Sequence, residues 1–337
     1  MSYEFLAEDR AIATGIKRIA AEELESAIAL LSAGATAPIA KLKGETKDDP
    51  NEAVHDSRKS LKKLRAVLRL LRTEIGEERY QQENVCFRDA GRELSDVRDA
   101  QVLIETFDKL IDYFHNYLVP EAFQEIRQHL VTNYETVSTQ ILAQENTTQK
   151  VAAILTKAKN RVPNWEIENN NWSALSGGLK KIYKRGSSAH ELINTEPSIE
   201  NFHEWRKQVK YLWYHLRILT PIWSNLIAEL SSELKLLSDY LGDDHDLAIL
   251  REYFLTNSSQ FGNRQDLDIL LSLLNRRRPQ LQLHAQNLGA RIYAEKPDDF
   301  VERIGKYWQI WQAEIQPPAK LEIAVKQNIK NKSKLTA

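Results

Sequence analysis

One stretch of this chain occurs twice. Val54-His55-Asp56-Ser57-Arg58-Lys59-Ser60-Leu61-Lys62-Lys63-Leu64 is matched 148 residues later by Phe202-His203-Glu204-Trp205-Arg206-Lys207-Gln208-Val209-Lys210-Tyr211-Leu212. The correspondence runs on through Leu68 and Leu216, Arg69 and Arg217, and Leu71 and Leu219. Flanking segments keep the same order. Gly15-Ile16-Lys17-Arg18-Ile19 pairs with Gly178-Leu179-Lys180-Lys181-Ile182 upstream, and Leu94 to Leu103 pairs with Leu241 to Leu250 downstream. Chance explains one short match; three collinear ones argue for a structural unit used twice.

The unit is helical. Ile12, Ile16, Ile19, Leu24, Ile28 and Leu31 recur at helical spacing, sustained period-two alternation is absent, and only 12 Gly and 10 Pro interrupt 337 residues. The expected class is all-α, with two repeats of about four helices each, packed as two bundles over residues 1–160 and 161–315, followed by a lysine-rich tail at 316–337. Cys86 is the only cysteine, which excludes an intramolecular disulfide framework and a cysteine-based zinc site. No run of about 18 apolar residues occurs and the first ten residues carry Glu4, Glu8 and Asp9, so the expectation is a soluble cytoplasmic chain without a membrane partner.

The repeated segment also carries the charge pattern. Asp49-Pro50-Asn51-Glu52 reads as a helix start, and Glu196-Pro197 as its counterpart. With about 100° per residue, Arg58, Lys59, Lys62, Arg65 and Arg69 fall within roughly 80° of His55, opposite Val54, Leu61, Leu64, Val67, Leu68 and Leu71. His203, Arg206, Lys207, Lys210 and Arg217 repeat the stripe, opposite Phe202, Val209, Leu212, Leu216 and Leu219. A solvated helix usually interleaves acids at i, i+4, yet seven Lys/Arg between His55 and Arg72 face only Asp56, and four in the second copy face only Glu204. Such crowding costs stability unless an anion neutralises it.

Further basic groups without acids nearby in the sequence are Lys180, Lys181, Lys184 and Arg185, and the evenly spaced Arg277, His284 and Arg291. The total still cancels, at 46 Lys+Arg against 47 Asp+Glu, so charge is segregated by face and any polyanion site is local. From His55 to Arg69 the stripe is about 21 Å long, which suits a linear polyanion better than a single phosphate. Alternating lysine point charges and arginine forks grip phosphate oxygens without fixing one register.

The doubled His-x-x-Arg-Lys-x-x-Lys pattern, each copy trailed by a Leu-x(4)-Asp segment, resembles the CHAD family of histidine-containing α-helical domains. The resemblance spans nearly the whole chain and is most specific over residues 50–72, 91–103, 182–186 and 197–219. It implies two four-helix bundles related by a pseudo-two-fold axis, forming a stand-alone module, non-enzymatic and without cofactor or bound metal, that holds inorganic polyphosphate in a basic central groove or channel and is associated with polyphosphate granules. By motif, the residues carried over are His55, Arg58, Lys59, Lys62, Arg65 and Arg69, then His203, Arg206, Lys207, Lys210 and Arg217. The Glu-x-Glu-x-Lys signature of triphosphatase tunnel domains, fused to some members, is missing. Trp213 stands where the family usually has another arginine, so the second stripe is the weaker one. His245 replaces the first copy's Arg98.

Two rivals remain at this level. His203, His245 and Asp246 are the residue types of a metal-dependent phosphohydrolase, but basic neighbours repel a cation and the first copy offers Arg98 instead of a ligand. The expectation for His245 and Asp246 is a helix-end contact, or an aspartate that orients a basic side chain. Tyr211, Trp213 and Tyr214 beside the second stripe would serve single-stranded nucleic acid by stacking, though the first copy has Lys63, Arg65 and Ala66 there. Packing is expected for these aromatics and for Trp165, Trp172, Trp223, Trp308 and Trp311, and a structural role for His115, His129, His190 and His215.

Overall fold

The computed structural model describes residues 2–9, 11–34, 50–143 and 147–315, which hold helices and no strand. The chain is all-α. Its α-helices are α1 (Ile12–Gly34), α2 (Pro50–Leu70), α3 (Glu77–Glu93), α4 (Asp96–Tyr113), α5 (Gln124–Ala143), α6 (Thr147–Arg161), α7 (Ser173–Thr195), α8 (Ile199–Ile218), α9 (Ser224–Thr256), α10 (Arg264–Ile292) and α11 (Pro297–Ile315). Asp49 and the tail at 316–337 lie outside the described residues.

Helix starts follow local chemistry. Pro50 opens α2 as the sequence predicts. At α8 the capping residue is Ser198 and not the Glu196-Pro197 pair: its hydroxyl accepts from the Asn201 amide at 3.1 Å, and Pro197 only precedes the cap. Asn263 caps α10 by accepting from Gln265 N and Asp266 N.

The apolar residues assemble two cores. The larger takes Ile16, Ile19 and Leu24 from α1, Leu64, Val67 and Leu68 from α2, Phe87 from α3, Leu155 from α6, Leu179 and Tyr183 from α7, and Val209 and Leu216 from α8. It extends to Leu234 and Leu241 on α9, Leu288 on α10 and Ile304 and Trp308 on α11. The smaller joins Leu103 and Phe107 of α4 and Leu130 of α5 to Leu250 and Phe254 of α9 and Leu270 and Leu274 of α10. Apolar packing therefore crosses position 160, and α9, about 50 Å long, contributes to both cores.

Two close contacts position the basic helices. At Gly178 an added Cβ would sit 2.0 Å from the Leu70 carbonyl oxygen, so α7 lies backbone against backbone on the end of α2. His215, fully buried on α8, places Nε2 2.9 Å from the Ala66 carbonyl of α2. The N-terminal segment closes the same region, with the Phe5 amide donating to Ile218 O and the Tyr3 hydroxyl to Lys63 O. Trp165, Trp308 and Trp311 are buried and Trp172 partly so, whereas Trp223 is 51% exposed and meets Tyr307 edge-on.

Candidate basic polyanion site

Because α2 and α8 pack directly on each other, charges that are 148 residues apart in sequence become neighbours. Lys62 on α2 is held down to about 8, chiefly by burial and then by repulsion from Arg206, Arg58 and Arg98. Lys210 on α8 is held at about 7 by burial and then by Arg206 and Lys62, with Asp246 and Asp239 only partly offsetting them. Among the described residues neither lysine has a carboxylate within 4.0 Å. The Arg206 Nε is buried without a hydrogen-bond partner. Lys62 nevertheless keeps water contact along its side chain. Protein surrounds it on most sides while its accessible surface stays high, so the drop to about 8 reflects thinned rather than absent hydration.

Around this centre the other first-copy residues are partly engaged. The Arg58 guanidinium donates to Gly91 O at 3.1 Å and stands 3.8 Å from Asp99. Lys59 meets Asp56 at 3.8 Å. Arg65 and Arg69 both donate to Asn84 Oδ1, at 3.2 and 3.1 Å, an arrangement that fixes the two forks without neutralising them. Arg69 also lies 4.0 Å over the Tyr211 ring, and its pKa is lowered by burial and by Arg65 and Arg185. Lys181, lowered by burial and then by Arg72 and Arg185, extends the basic surface onto α7.

The histidines differ between copies. His55 is exposed, with its pKa lowered by burial and then by Arg98. His203 is half-buried and lowered by burial, Lys207 and Arg206. Its ring lies 4.4 Å from that of His245, and both Nδ1 atoms are buried without partners. Burial, then His203, Arg206 and Arg278, push His245 down to about 4.

Other sequence-predicted residues are drawn elsewhere. Lys180 pairs with Asp298 of α11, so its surroundings do contain an acid. Lys207 pairs with Glu204. Lys184 and Arg291 are exposed. Arg217 lies over the rings of Trp213 and Tyr3, at 5.2 and 5.4 Å, toward the N-terminal segment. On α10, Arg277 stacks 3.8 Å from Tyr113 and His284 stacks on Tyr240 at 5.5 Å. Sharing a helix face, Arg277 and His284 are thus each taken by an aromatic ring, while Arg291 stays exposed.

The 243–246 run also departs from expectation. His245 and Asp246 sit in the middle of α9, not at a helix end. The aspartate that orients a base is Asp244, which accepts from Arg278 at 2.9 Å and from Gln282 at 3.0 Å. Burial raises the Asp246 pKa, against the lowering effect of Arg206 and Lys210. Arg98 was absent from the sequence-derived set. It stands on the first turns of α4 beside His55 and Lys62, in a two-bond pair with Glu105 at 2.7 and 2.9 Å. Its signal was present in the Leu-x(4)-Asp segment but marked no charge stripe.

The aromatics are already occupied. Tyr214 is buried, Tyr211 covers Arg69 and Trp213 faces Arg217, so each contributes to packing or to a guanidinium. Among the described residues no group of three or more His, Cys, Asp or Glu side chains is arranged to hold a metal ion, and no helix is long and apolar enough to cross a membrane.

No curated protein matches the chain. The CHAD domain matches residues 33–255, about two thirds of its length, and includes both basic helices and the His245 segment. The all-helical architecture agrees with that assignment, and the chain belongs to the CHAD domain family.

Proposed function

We propose that this chain binds inorganic polyphosphate without chemically altering it, along a basic groove formed where the two copies of the repeated helix meet, each copy belonging to one of two bundles related by pseudo-two-fold symmetry. The observation that carries this reading is the crowding of Lys62, Arg206 and Lys210 with, among the described residues, no carboxylate within 4.0 Å of either lysine. Folding rarely tolerates such an arrangement for its own sake, since placing like charges together where protein thins their hydration opposes stability. A linear polyanion reverses the sign of that cost. Membership of a family associated with polyphosphate supports the same ligand, as does the length of the stripe on α2.

Arginines fixed by Asn84, and Arg58 fixed by Gly91, present guanidinium planes to phosphate oxygens with little side-chain entropy left to lose. Lys62 and Lys210 add point charges between them, and the neutral fraction of each takes up a proton when an anion arrives. The paired aromatics favour polyphosphate over single-stranded nucleic acid, because Tyr211 and Trp213 would have to leave their guanidinium partners to stack on bases.

Titration with long-chain polyphosphate, in competition with single-stranded RNA, tests this directly. The combined Arg58→Ala, Lys59→Ala and Lys62→Ala variant is expected to remain folded, to bind at least about tenfold more weakly, and to show a flatter dependence of log affinity on log salt, since fewer counterions are released. Unchanged affinity in a folded variant would remove α2 from the site. Preferential RNA binding, lost on changing Trp213 and Tyr214 to Ala, would replace the ligand.

A further inference from the structure

Resting on the polyphosphate reading, we propose that His203 and His245, together with the Arg206 guanidinium, form a proton-assisted subsite that seats one phosphoryl group of the bound chain. Three nitrogens are orphaned here: both Nδ1 atoms and the Arg206 Nε are buried with no hydrogen-bond partner. The two rings lie 4.4 Å apart at 38°, too close for both to be charged without an anion beside them. Imidazolium has a donor on each ring nitrogen and guanidinium contributes another, so the ligand that fits is one that only accepts hydrogen bonds and carries negative charge. A phosphoryl group does both.

The surrounding charges decide the resting state. His245 faces His203 and Arg206 from α8, with Lys207 and Glu204 paired beyond them, and Arg278 from α10, itself tied to Asp244 at 2.9 Å. On its own helix lie Asp243 and Asp246, the former 3.7 Å from Lys109 of α4. Positive neighbours and burial prevail, holding His245 at about 4, so the pair is neutral at pH 7 in the free protein. A phosphoryl group reverses the balance and draws a proton onto it. In the first copy the equivalent position is Arg98, beside His55, which is always charged. At this position the first copy thus carries a fixed cation, while the second adds a charge to that of Arg206 only with the ligand.

The test is the pH dependence of polyphosphate affinity at constant salt for the full chain and for His245→Gln, using long chains whose internal phosphates stay singly ionised. Below pH 6 the lysines, at about 8 and about 7, are already charged and add no slope. Between pH 6 and about 5 the affinity of the native chain should rise more steeply than that of the variant, by up to about tenfold per pH unit. Equal slopes with binding intact would overturn the subsite and leave the polyphosphate reading standing; no binding by the native chain at any pH would overturn both. Should H245Q fail to fold, imidazole NMR titration of the native chain decides: the His245 pKa is expected to rise by about two units or more with polyphosphate, and an unchanged value would overturn the proposal.

Discussion

Lys62 and Lys210 are worth most as ligand contacts and least as parts of the fold. Each is held near 8 or 7 because protein and other cations surround it, so the folded chain binds these protons less tightly than the unfolded chain, where lysine titrates at its ordinary 10.5. Between about pH 7 and 10.5 the unfolded state holds more protons, and stability rises with pH across that window as the repulsion is relieved; below it the penalty is complete. Lys210→Met should therefore stabilise the free protein at pH 7 by about 1 kcal/mol while weakening polyphosphate binding, a trade familiar at functional sites. Denaturant melts at low salt, with and without ligand, measure both. The basic stripe itself was legible in the sequence because residues such as Arg58 and Lys62 share one face of a single helix. Arg98 was not, since it reaches the same place from α4, and helical periodicity says nothing about which side chains of different elements converge.

At the scale of elements, what brings the basic helices together is the absence of side-chain bulk and one buried imidazole. Gly178 lets α7 touch the α2 backbone at Leu70, and Gly178→Ala is expected to destabilise the protein by about 3 kcal/mol, because the carbonyl in the way belongs to a helix end and cannot rotate aside. Thermal melting measures this, and a loss under 1 kcal/mol would mean that α7 shifts freely. His215, held neutral at about 4 by burial, meets the Ala66 carbonyl across the contact. His215→Phe keeps the volume but removes that hydrogen bond, so a loss of about 1 kcal/mol is expected in the same assay. The repeat puts Gly15 and Gly178 in register, and isolation from the basic stripe gives His215 a structural role, but which helix each approaches depends on tertiary packing. The same limit applies to Arg277, His284 and Arg291: sharing a face on α10 said nothing of Tyr113 and Tyr240, which take the first two.

For the whole molecule, the helical class was readable from residues such as Ile12, Ile16 and Ile19, which are all buried on one side of α1. The partition of the interior was not, because the repeat marks similar stretches of chain and not which of them share a core. Ligand and stability are coupled at this scale: polyphosphate at 100 times its dissociation constant should stabilise the chain by about 2.7 kcal/mol. A shift in melting temperature that vanishes at high salt checks that the gain is electrostatic. No such shift at low salt would count against specific binding.

The span of α9 has a mechanical meaning. Since its first half is anchored among Leu234 and Leu241 and its second among Leu250 and Phe254, one rigid rod is clamped in two separate vices. Releasing either clamp strands an apolar strip of that rod in water, so the two ends of the protein must melt in step, and severing the backbone near residue 160 would yield fragments that recover their shape only by finding each other again.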